Sequence, residues 1–417
     1  MRVQIEGSQA VADAVALCRP EVIAAYPISP QTHIVERLSR KVKQGDVGRC
    51  QFLNVESEFG ALSALIGASA AGARTYTATT SQGLLFMAEA VYNAAGLGLP
   101  IVMTIANRAI GAPINIWNDH SDSMALRDAG WIQLFAEDNQ EAVDLHIQAF
   151  HLAEDLSCPV MVCMDGYILT HAYEPVDLPD QTLVDEFLPP FNPVQMLDPN
   201  DPISIGAMVG PEAFTEVRYL SHRQHSRALE LIPDLIGAFD RHFHRLSGGL
   251  YSLYLMGDAD IAVIALGSVN GTIKDAIDEL RNEGITVGCV KIGCYRPFPM
   301  LQLRAELEGV TRVIVVEKDL AVGMGGIVSA DVQMALQGLQ IPVHTVIAGL
   351  GGRSISKSSL KRMIQDARAE RLSEPHFLDL NWTAINEEVA RGQDTRRAGP
   401  VAERLLRVIN ARGSKII

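Results

Sequence analysis

The stretch AAYPISPQTHIVE (residues 24–36) joins an apolar run to a helical pattern through two closely spaced prolines. VIAAYP predicts a strand, and QTHIVERLSRKVK predicts the helix that follows it. Ser29 lies between the prolines and has two interpretations. It could be the helix N-cap, with Pro30 as the first helical residue. Alternatively, the turn presents the Ser29 hydroxyl to a ligand.

The same strand-to-helix order repeats through the first 170 residues. Apolar runs at RTYTATT, LPIVMTIA and CPVMVCMD alternate with helical stretches such as ALSALIGASAAGA and QEAVDLHIQAFHLAEDL. Such alternation predicts an α/β fold with a parallel sheet that is covered by helices on both faces. Ligands bind at the carboxyl ends of the strands in these sheets, which favours the ligand interpretation of Ser29.

The pattern changes after this first unit. Residues 171–211 contain eight of the chain's 20 prolines and predict an extended connection over the surface. A second alternating unit begins near Ala259, with strands at ADIAVIALGS, TVGCVKIG, TRVIVVEKD and PVHTVIAGL. We therefore expect domain I at 1–250, including the connection, a smaller α/β domain II at 255–375, and a partly helical tail at 376–417.

Composition excludes several classes of protein. The 417 residues carry a net charge of −14 without a lysine or arginine run, which argues against nucleic acid or an anionic membrane as partner. No apolar stretch is long enough to span a membrane, and the N-terminus does not resemble a signal peptide, so we expect a cytoplasmic protein. The six cysteines form no C-x-x-C pair, and no ligand set completes HRQH or HFH, so no metal site is expected in this chain.

Four stretches carry polar groups that could do chemistry. ESEFGA places Glu56 and Glu58 before a helix, TTSQGL clusters hydroxyls beside Gly83, and TIANRAIGAPINIWNDHSDSM puts Arg108 just after a strand. The polar loop after Arg108 could be a site or only a hydrogen-bonded loop core. The glycines of EKDLAVGMGGIVSA could bind phosphate or allow close packing of a strand and a helix.

The motifs YPISPQTHIVE, ESEFGA, TTSQGL, NRAIGAPINIWNDHSDS and RPFP occur in one order. Together they resemble alpha subunits of the pyruvate:ferredoxin oxidoreductase family, over the chain to about residue 375. This resemblance implies a thiamine-diphosphate pyrimidine-binding domain followed by a transketolase-C-terminal-like domain. It also implies coenzyme A-dependent oxidative decarboxylation of a 2-oxoacid, here pyruvate to acetyl-CoA and CO2, with electrons passed to ferredoxin.

The resemblance also implies roles for individual residues. Glu58, rather than Glu56, would touch the aminopyrimidine of the cofactor, and Arg108 would face the substrate carboxylate. Ser29 replaces the family's threonine and keeps its hydroxyl. The implied catalytic residues are therefore Glu58, Arg108 and Ser29. Further implied contacts are Pro27, Ile28, Thr80, Ser81 and Gln82 for the cofactor, and Asn115 and Asn118, with Ser29 and Arg108, for the substrate.

Two features of the family are missing from this sequence. It has no GDG motif for Mg²⁺ and the diphosphate, and no cluster cysteines. The resemblance thus implies a beta subunit that carries the diphosphate and Mg²⁺ site and [4Fe-4S] clusters, with gamma and delta subunits or their equivalents. A branched-chain 2-oxoacid, 2-oxoglutarate or oxalate stays open as substrate. A non-catalytic scaffold is the other alternative, against which the presence of both Glu58 and Arg108 argues.

Overall fold

The computed structural model describes residues 2–394 and 401–413. Within them the strands are β1 Arg2–Glu6, β2 Val22–Ala25, β3 Gln51–Asn54, β4 Thr75–Thr79, β5 Ile101–Asn107, β6 Ile132–Phe135, β7 Val160–Asp165, β8 Tyr173–Asp177, β9 Tyr251–Tyr254, β10 Ile261–Ala265, β11 Val287–Ile292, β12 Cys294–Arg296, β13 Arg312–Glu317, β14 Val343–Ile347 and β15 His376–Phe377. The helices are α1 Gly7–Leu17, α2 Thr32–Gln44, α3 Glu58–Ala70, α4 Ser81–Phe86, α5 Ala88–Gly96, α6 Ser121–Ala125, α7 Asn139–Leu156, α8 Gln181–Phe187, α9 Phe214–Ser226, α10 Ala228–Phe243, α11 Val269–Asn282, α12 Met300–Leu307, α13 Val328–Ala335, α14 Lys357–Arg368, α15 Trp382–Asp394 and α16 Val401–Gly413. None of the helices in these ranges could span a bilayer.

The first sheet has seven strands in the order β12-β6-β7-β5-β4-β2-β3. All pairs are parallel except β12 with β6. Every residue of β4, β5 and β7 is buried, because helices cover both faces. The α/β fold and the four predicted strands β2, β4, β5 and β7 are confirmed.

The second sheet has the order β15-β14-β13-β10-β11-β9 and is parallel except for β9. Its four predicted strands, β10, β11, β13 and β14, are confirmed. β15 lies just past residue 375, where we expected domain II to end, and yet pairs with β14. The expected domain boundaries at 250, 255 and 375 remain a prediction.

The two sheets share one hydrophobic core. Residues of α3, α5 and β5 pack in the same buried cluster as residues of β10, β11 and β13. Within the first sheet, the ring of Phe135 in β6 meets the ring of Tyr295 in β12 edge-on, with centroids 6.2 Å apart. The opposite face of the first sheet has its own core, to which α1, α2, α7 and α10 contribute.

The proline-rich segment at 171–211 contains a strand and a helix, so the prediction of an extended connection was wrong at α8. β8 pairs antiparallel with β1, and α8 follows it. Burial of Val176 against α1 stabilises this small sheet. Pro175 is tolerated because β8 lies at an edge.

A buried carboxylate joins the two sheets at the end of β7. Asp165 accepts hydrogen bonds from Lys318 Nζ (2.9 Å) and from the backbone and side chain of Ser268, both in the second unit. On the first unit's side, Asn118 Nδ2 lies 3.0 Å and His120 Nε2 lies 2.7 Å from Asp165 Oδ1. Burial alone would raise the pKa of Asp165, but Lys318 and His120 hold the pKa well below its usual range.

Asp165→Asn should lower the free energy of unfolding by about 3–5 kcal/mol, because it leaves the buried ammonium of Lys318 without its counter-charge. Urea denaturation of both proteins measures this difference. The matched control is Asp185→Asn, since Asp185 pairs with Arg19 at the surface. That control should cost less than about 1 kcal/mol. Equal losses in the two variants would show that the Asp165 contacts do not hold the units together.

Candidate functional site

Four segments that the sequence singled out meet at one edge of the first sheet. The Ser29 turn follows β2, Glu58 follows β3, the Thr80 turn follows β4, and Arg108 follows β5. Because β2, β3, β4 and β5 are parallel, their carboxyl ends lie at the same edge. This is the edge at which parallel α/β sheets bind ligands.

The structure of the turn after β2 shows whether Ser29 is the N-cap of α2. Helix α2 begins at Thr32, its N-cap position is Gln31, and no side chain caps it. The N-cap interpretation of Ser29 is therefore wrong. Gln31 instead braces the turn, since its buried Nε2 donates to the carbonyls of Tyr26 (2.8 Å) and Ala78 (3.1 Å). Ser29 itself is exposed in the turn.

Arg108 reaches the same turn from β5. Its Nη1 donates to the Ser29 carbonyl at 2.9 Å and its Nε donates to the Asn115 carbonyl at 3.0 Å, while the residue is only 6% exposed. Its Nη2 has no hydrogen-bond partner among the described residues. The guanidinium is thus fixed in place and still has donors for a carboxylate.

Glu58 is the first residue of α3, whose N-cap Ser57 accepts a hydrogen bond from the Gly60 N–H. Glu58 is 7% exposed, whereas Glu56 is exposed. Gly83 lies against the Glu58 carboxylate, because an added Cβ there would stand 2.6 Å from Glu58 Oε1. Glycine therefore allows this close approach.

The Glu58 carboxylate has no hydrogen-bond partner within the described part of the chain. A nearby hydroxyl, Thr79 Oγ1, is also buried without a partner. Buried polar groups are nearly always satisfied, so the Thr79 hydroxyl points to a polar ligand, and the neighbouring Glu58 carboxylate is free to bind the same ligand. A ring nitrogen of an aminopyrimidine fits the acidic group at this position.

The hydroxyls of the β4–α4 turn are used within the protein. Thr80 Oγ1 donates to the Ala106 carbonyl (2.6 Å), and Ser81 Oγ lies 2.5 Å from the Ala109 carbonyl and also contacts Gln82. These contacts fasten the turn to the segment around Arg108. The cofactor contacts expected of Thr80, Ser81, Gln82, Pro27 and Ile28 stay a prediction.

Asp122 holds this edge together, and the sequence analysis gave it no role. Its Oδ2 accepts hydrogen bonds from the backbone N–H groups of Ser81 (2.9 Å) and Arg108 (3.0 Å). Its Oδ1 accepts hydrogen bonds from Asn107 Nδ2 and from the Ser123 N–H, both at 2.8 Å. Burial raises the pKa of Asp122 to about 6, although these donors oppose that shift. The position of Asp122 in the first turn of the short helix α6 gave no signal of a contact to two other segments.

Two residues expected to contact substrate make hydrogen bonds within the protein, Asn115 to the second unit and Asn118 to the end of β7. Asn115 Nδ2 donates to the Gly351 carbonyl (3.1 Å), and Asn118 Nδ2 donates to Asp165 (3.0 Å). The loop after Arg108 is therefore a hydrogen-bonded core at this end. Whether Asn115 or Asn118 also reaches a substrate is not tested by these contacts, and that role stays a prediction.

The glycine stretch before α13 packs closely around a carboxylate. The Glu317 carboxylate accepts hydrogen bonds from the N–H groups of Ile327 and Val328, both at 2.7 Å. It therefore occupies the position where a phosphate would bind. A Cβ on Gly326 would lie 2.0 Å from Glu317 Oε1. This geometry supports the packing interpretation of the glycines.

Two family models match this chain. Residues 13–235 match "Pyruvate flavodoxin/ferredoxin oxidoreductase, thiamine diP-bdg", and residues 259–360 match "Pyruvate:ferredoxin oxidoreductase core domain II". The first match includes Ser29, Glu58 and Arg108. It confirms a thiamine-diphosphate-binding domain in the first unit.

Relatives and a solved structure agree with these matches. "Pyruvate synthase subunit PorA" of Methanosarcina barkeri is 47% identical, over 91% of this chain and 96% of that protein. "Ketoisovalerate oxidoreductase subunit VorA" of Pyrococcus abyssi is 40% identical, over 87% of this chain and 93% of that protein. The structure of a 2-oxoglutarate:ferredoxin oxidoreductase from Magnetococcus marinus, with 2-oxoglutarate, coenzyme A and succinyl-CoA bound, has a TM-score of 0.65 at 19% identity and shares the fold over 88% of this chain and 65% of that one. The chain belongs to the pyruvate:ferredoxin oxidoreductase family.

Proposed function

We propose that this chain is the alpha subunit of a pyruvate:ferredoxin oxidoreductase, or pyruvate synthase, and supplies half of its thiamine diphosphate site. The observation that carries this proposal is the buried Glu58 carboxylate, which has no partner among the described residues. The identity to relatives named pyruvate synthase subunit PorA supports pyruvate as the substrate.

Each residue at the edge has a defined task in this proposal. Glu58 forms a hydrogen bond with the ring nitrogen of the aminopyrimidine, as acceptor or as donor. This bond controls the protonation of that nitrogen. Arg108 binds the carboxylate of the 2-oxoacid, and Ser29 donates its hydroxyl beside Arg108. When bound, thiamine diphosphate supplies the electron sink for loss of CO2. Coenzyme A then accepts the acyl group as co-substrate.

Partner subunits complete the site in this proposal. Large apolar side chains lie exposed beside Glu58 and Arg108, among them Phe86 at 61% and Ile114 at 81% exposure. Phe59 and Trp117 are also exposed there. An apolar surface around half a site fits an interface with a protein subunit. We assign the Mg²⁺ and diphosphate site and the [4Fe-4S] clusters to a beta subunit, because the sequence lacks their motifs.

Electrons would leave through other subunits. Gamma and delta subunits or their equivalents complete the proposed complex, and ferredoxin docks mainly on one of the partners. The net charge of −14 on this chain supports that assignment, because like charges weaken docking of an acidic protein. All six cysteines are free thiols, as in a reducing compartment, which supports the proposed cytoplasmic location.

A branched-chain 2-oxoacid is the second candidate substrate. The relative from Pyrococcus abyssi that is named a ketoisovalerate oxidoreductase subunit favours it, although at lower identity. Comparing kcat/KM of the assembled complex for pyruvate and for ketoisovalerate separates the two candidates.

Glu58→Gln should slow exchange of the thiazolium proton of bound cofactor by about 10²- to 10⁴-fold, because the amide cannot assist acid–base chemistry. Hydrogen–deuterium exchange in the assembled complex measures this rate, and pyruvate turnover should fall with it. The matched control is the exposed neighbour, since Glu56→Gln should leave the rate nearly unchanged. Equal effects of the two substitutions would overturn the role of Glu58.

Ser29→Ala should lower kcat/KM of the complex for its 2-oxoacid by roughly ten- to a hundredfold, through loss of a hydrogen bond worth about 1.5–3 kcal/mol. Stability should hardly change, because the hydroxyl caps no helix. Ser29→Thr restores the family's residue and should stay active. Kinetics and thermal unfolding of the three proteins test this. Unchanged kinetics in Ser29→Ala would remove Ser29 from the substrate site.

A further inference from the structure

Two histidines and a glutamate meet next to the Ser29 turn. Glu6 ends β1, His33 lies in the first turn of α2, and His171 lies in the turns after β7. One potential ligand atom from each residue lies within 4.8 Å of the other two. Across the described ranges this is the one group of three such residues. The sequence gave no hint of it, because the three residues are far apart in the chain.

The surroundings of this triad suit a metal ion. Glu6 is buried, while the side chain of His33 is 46% exposed, so the carboxylate is rigid and the rings open towards solvent. The two imidazole rings lie 4.9 Å apart.

Neighbouring residues orient the potential ligand atoms. Thr170 Oγ1 lies 2.8 Å from His171 Nδ1 and also accepts the Tyr167 N–H, which leaves Nε2 of His171 for a ligand. Gln9 Nε2 donates to Glu6 Oε2 at 3.0 Å and so leaves Oε1 facing His33. Hydrogen bonds of this kind fix the ligands of metal sites in proteins.

We infer that Glu6, His33 and His171 form a binding site for a divalent transition metal of the Zn²⁺ class, with the fourth position open to water. Two imidazoles and one carboxylate are a known type of Zn²⁺ ligand set, whereas Mg²⁺ prefers oxygen ligands. Glu6 Oε1 and His33 Nδ1 now lie 2.6 Å apart. Around Zn²⁺ they would separate to roughly 3.3 Å, and the proton between them would be released.

The bound metal would connect the two segments that flank the Ser29 turn. Gly166, just after β7, packs on Pro30, because an added Cβ there would lie 2.7 Å from Pro30 Cγ. The metal would add a direct link between the first turn of α2 and the segment after β7. Its binding does not depend on the proposed function of the chain.

Calorimetric titration of the full chain, first stripped of metal by a chelator, tests this inference with Zn²⁺ as the probe. We expect about one Zn²⁺ per chain at this site and no comparable binding of Mg²⁺. His33→Gln and His171→Gln should each weaken Zn²⁺ binding by at least roughly 10- to 100-fold. That is the loss seen when a residue that only supports a metal ligand is removed, and these two residues are the proposed ligands themselves. Unfolding curves recorded without metal should match the wild type.

His151→Gln is the matched control. His151 Nδ1 lies 3.2 Å from Asp155, so this pair offers one imidazole and a carboxylate without a second histidine. The control should bind Zn²⁺ as the wild type does. The inference is wrong if the wild type takes up no Zn²⁺, or if His33→Gln and His171→Gln both bind it as tightly as the wild type.

Discussion

The carboxylate of Asp165 lies at the end of β7 without access to water, and four residues from two units converge on it. Lys318 and Ser268 belong to the second unit, and Asn118 and His120 belong to the loop after β5. A buried charge is tolerated only with such compensation. The contacts therefore fix the loop between the two sheets, and Arg108 lies at the start of that loop.

The rest of the candidate site follows from this constraint. Asp122, in α6 at the far end of the same loop, accepts hydrogen bonds from the N–H groups of Ser81 and Arg108 and so links the turn after β4 to the end of β5. Arg108 in turn holds the Ser29 carbonyl. Most polar groups here satisfy one another. The Glu58 carboxylate has no hydrogen-bond partner among the described residues, and it lies beside Thr79 Oγ1, which also has none.

The sequence predicted features that depend on neighbouring residues better than features that depend on contacts between distant segments. β4, β5 and β7 are continuous apolar runs, and the site edge follows from their parallel order. Strands β3 (QFLN) and β6 (IQLF) were missed, because polar residues interrupt their short apolar runs. The N-cap of α2 could not be predicted, because Gln31 is held by the distant Ala78 carbonyl. Asp122, Asp165 and the triad of Glu6, His33 and His171 depend on contacts between distant segments, for which one sequence carries no signal.

The central claim is that this chain holds the pyrimidine and substrate half of a site whose diphosphate half belongs to another subunit. Thiamine diphosphate binding to the full chain alone and to the assembled complex, measured by calorimetry, tests it most directly. The account predicts binding to the chain alone that is weaker by at least about a hundredfold, because the diphosphate would lack its charged partners. Binding of equal strength to the chain alone and to the complex would contradict it.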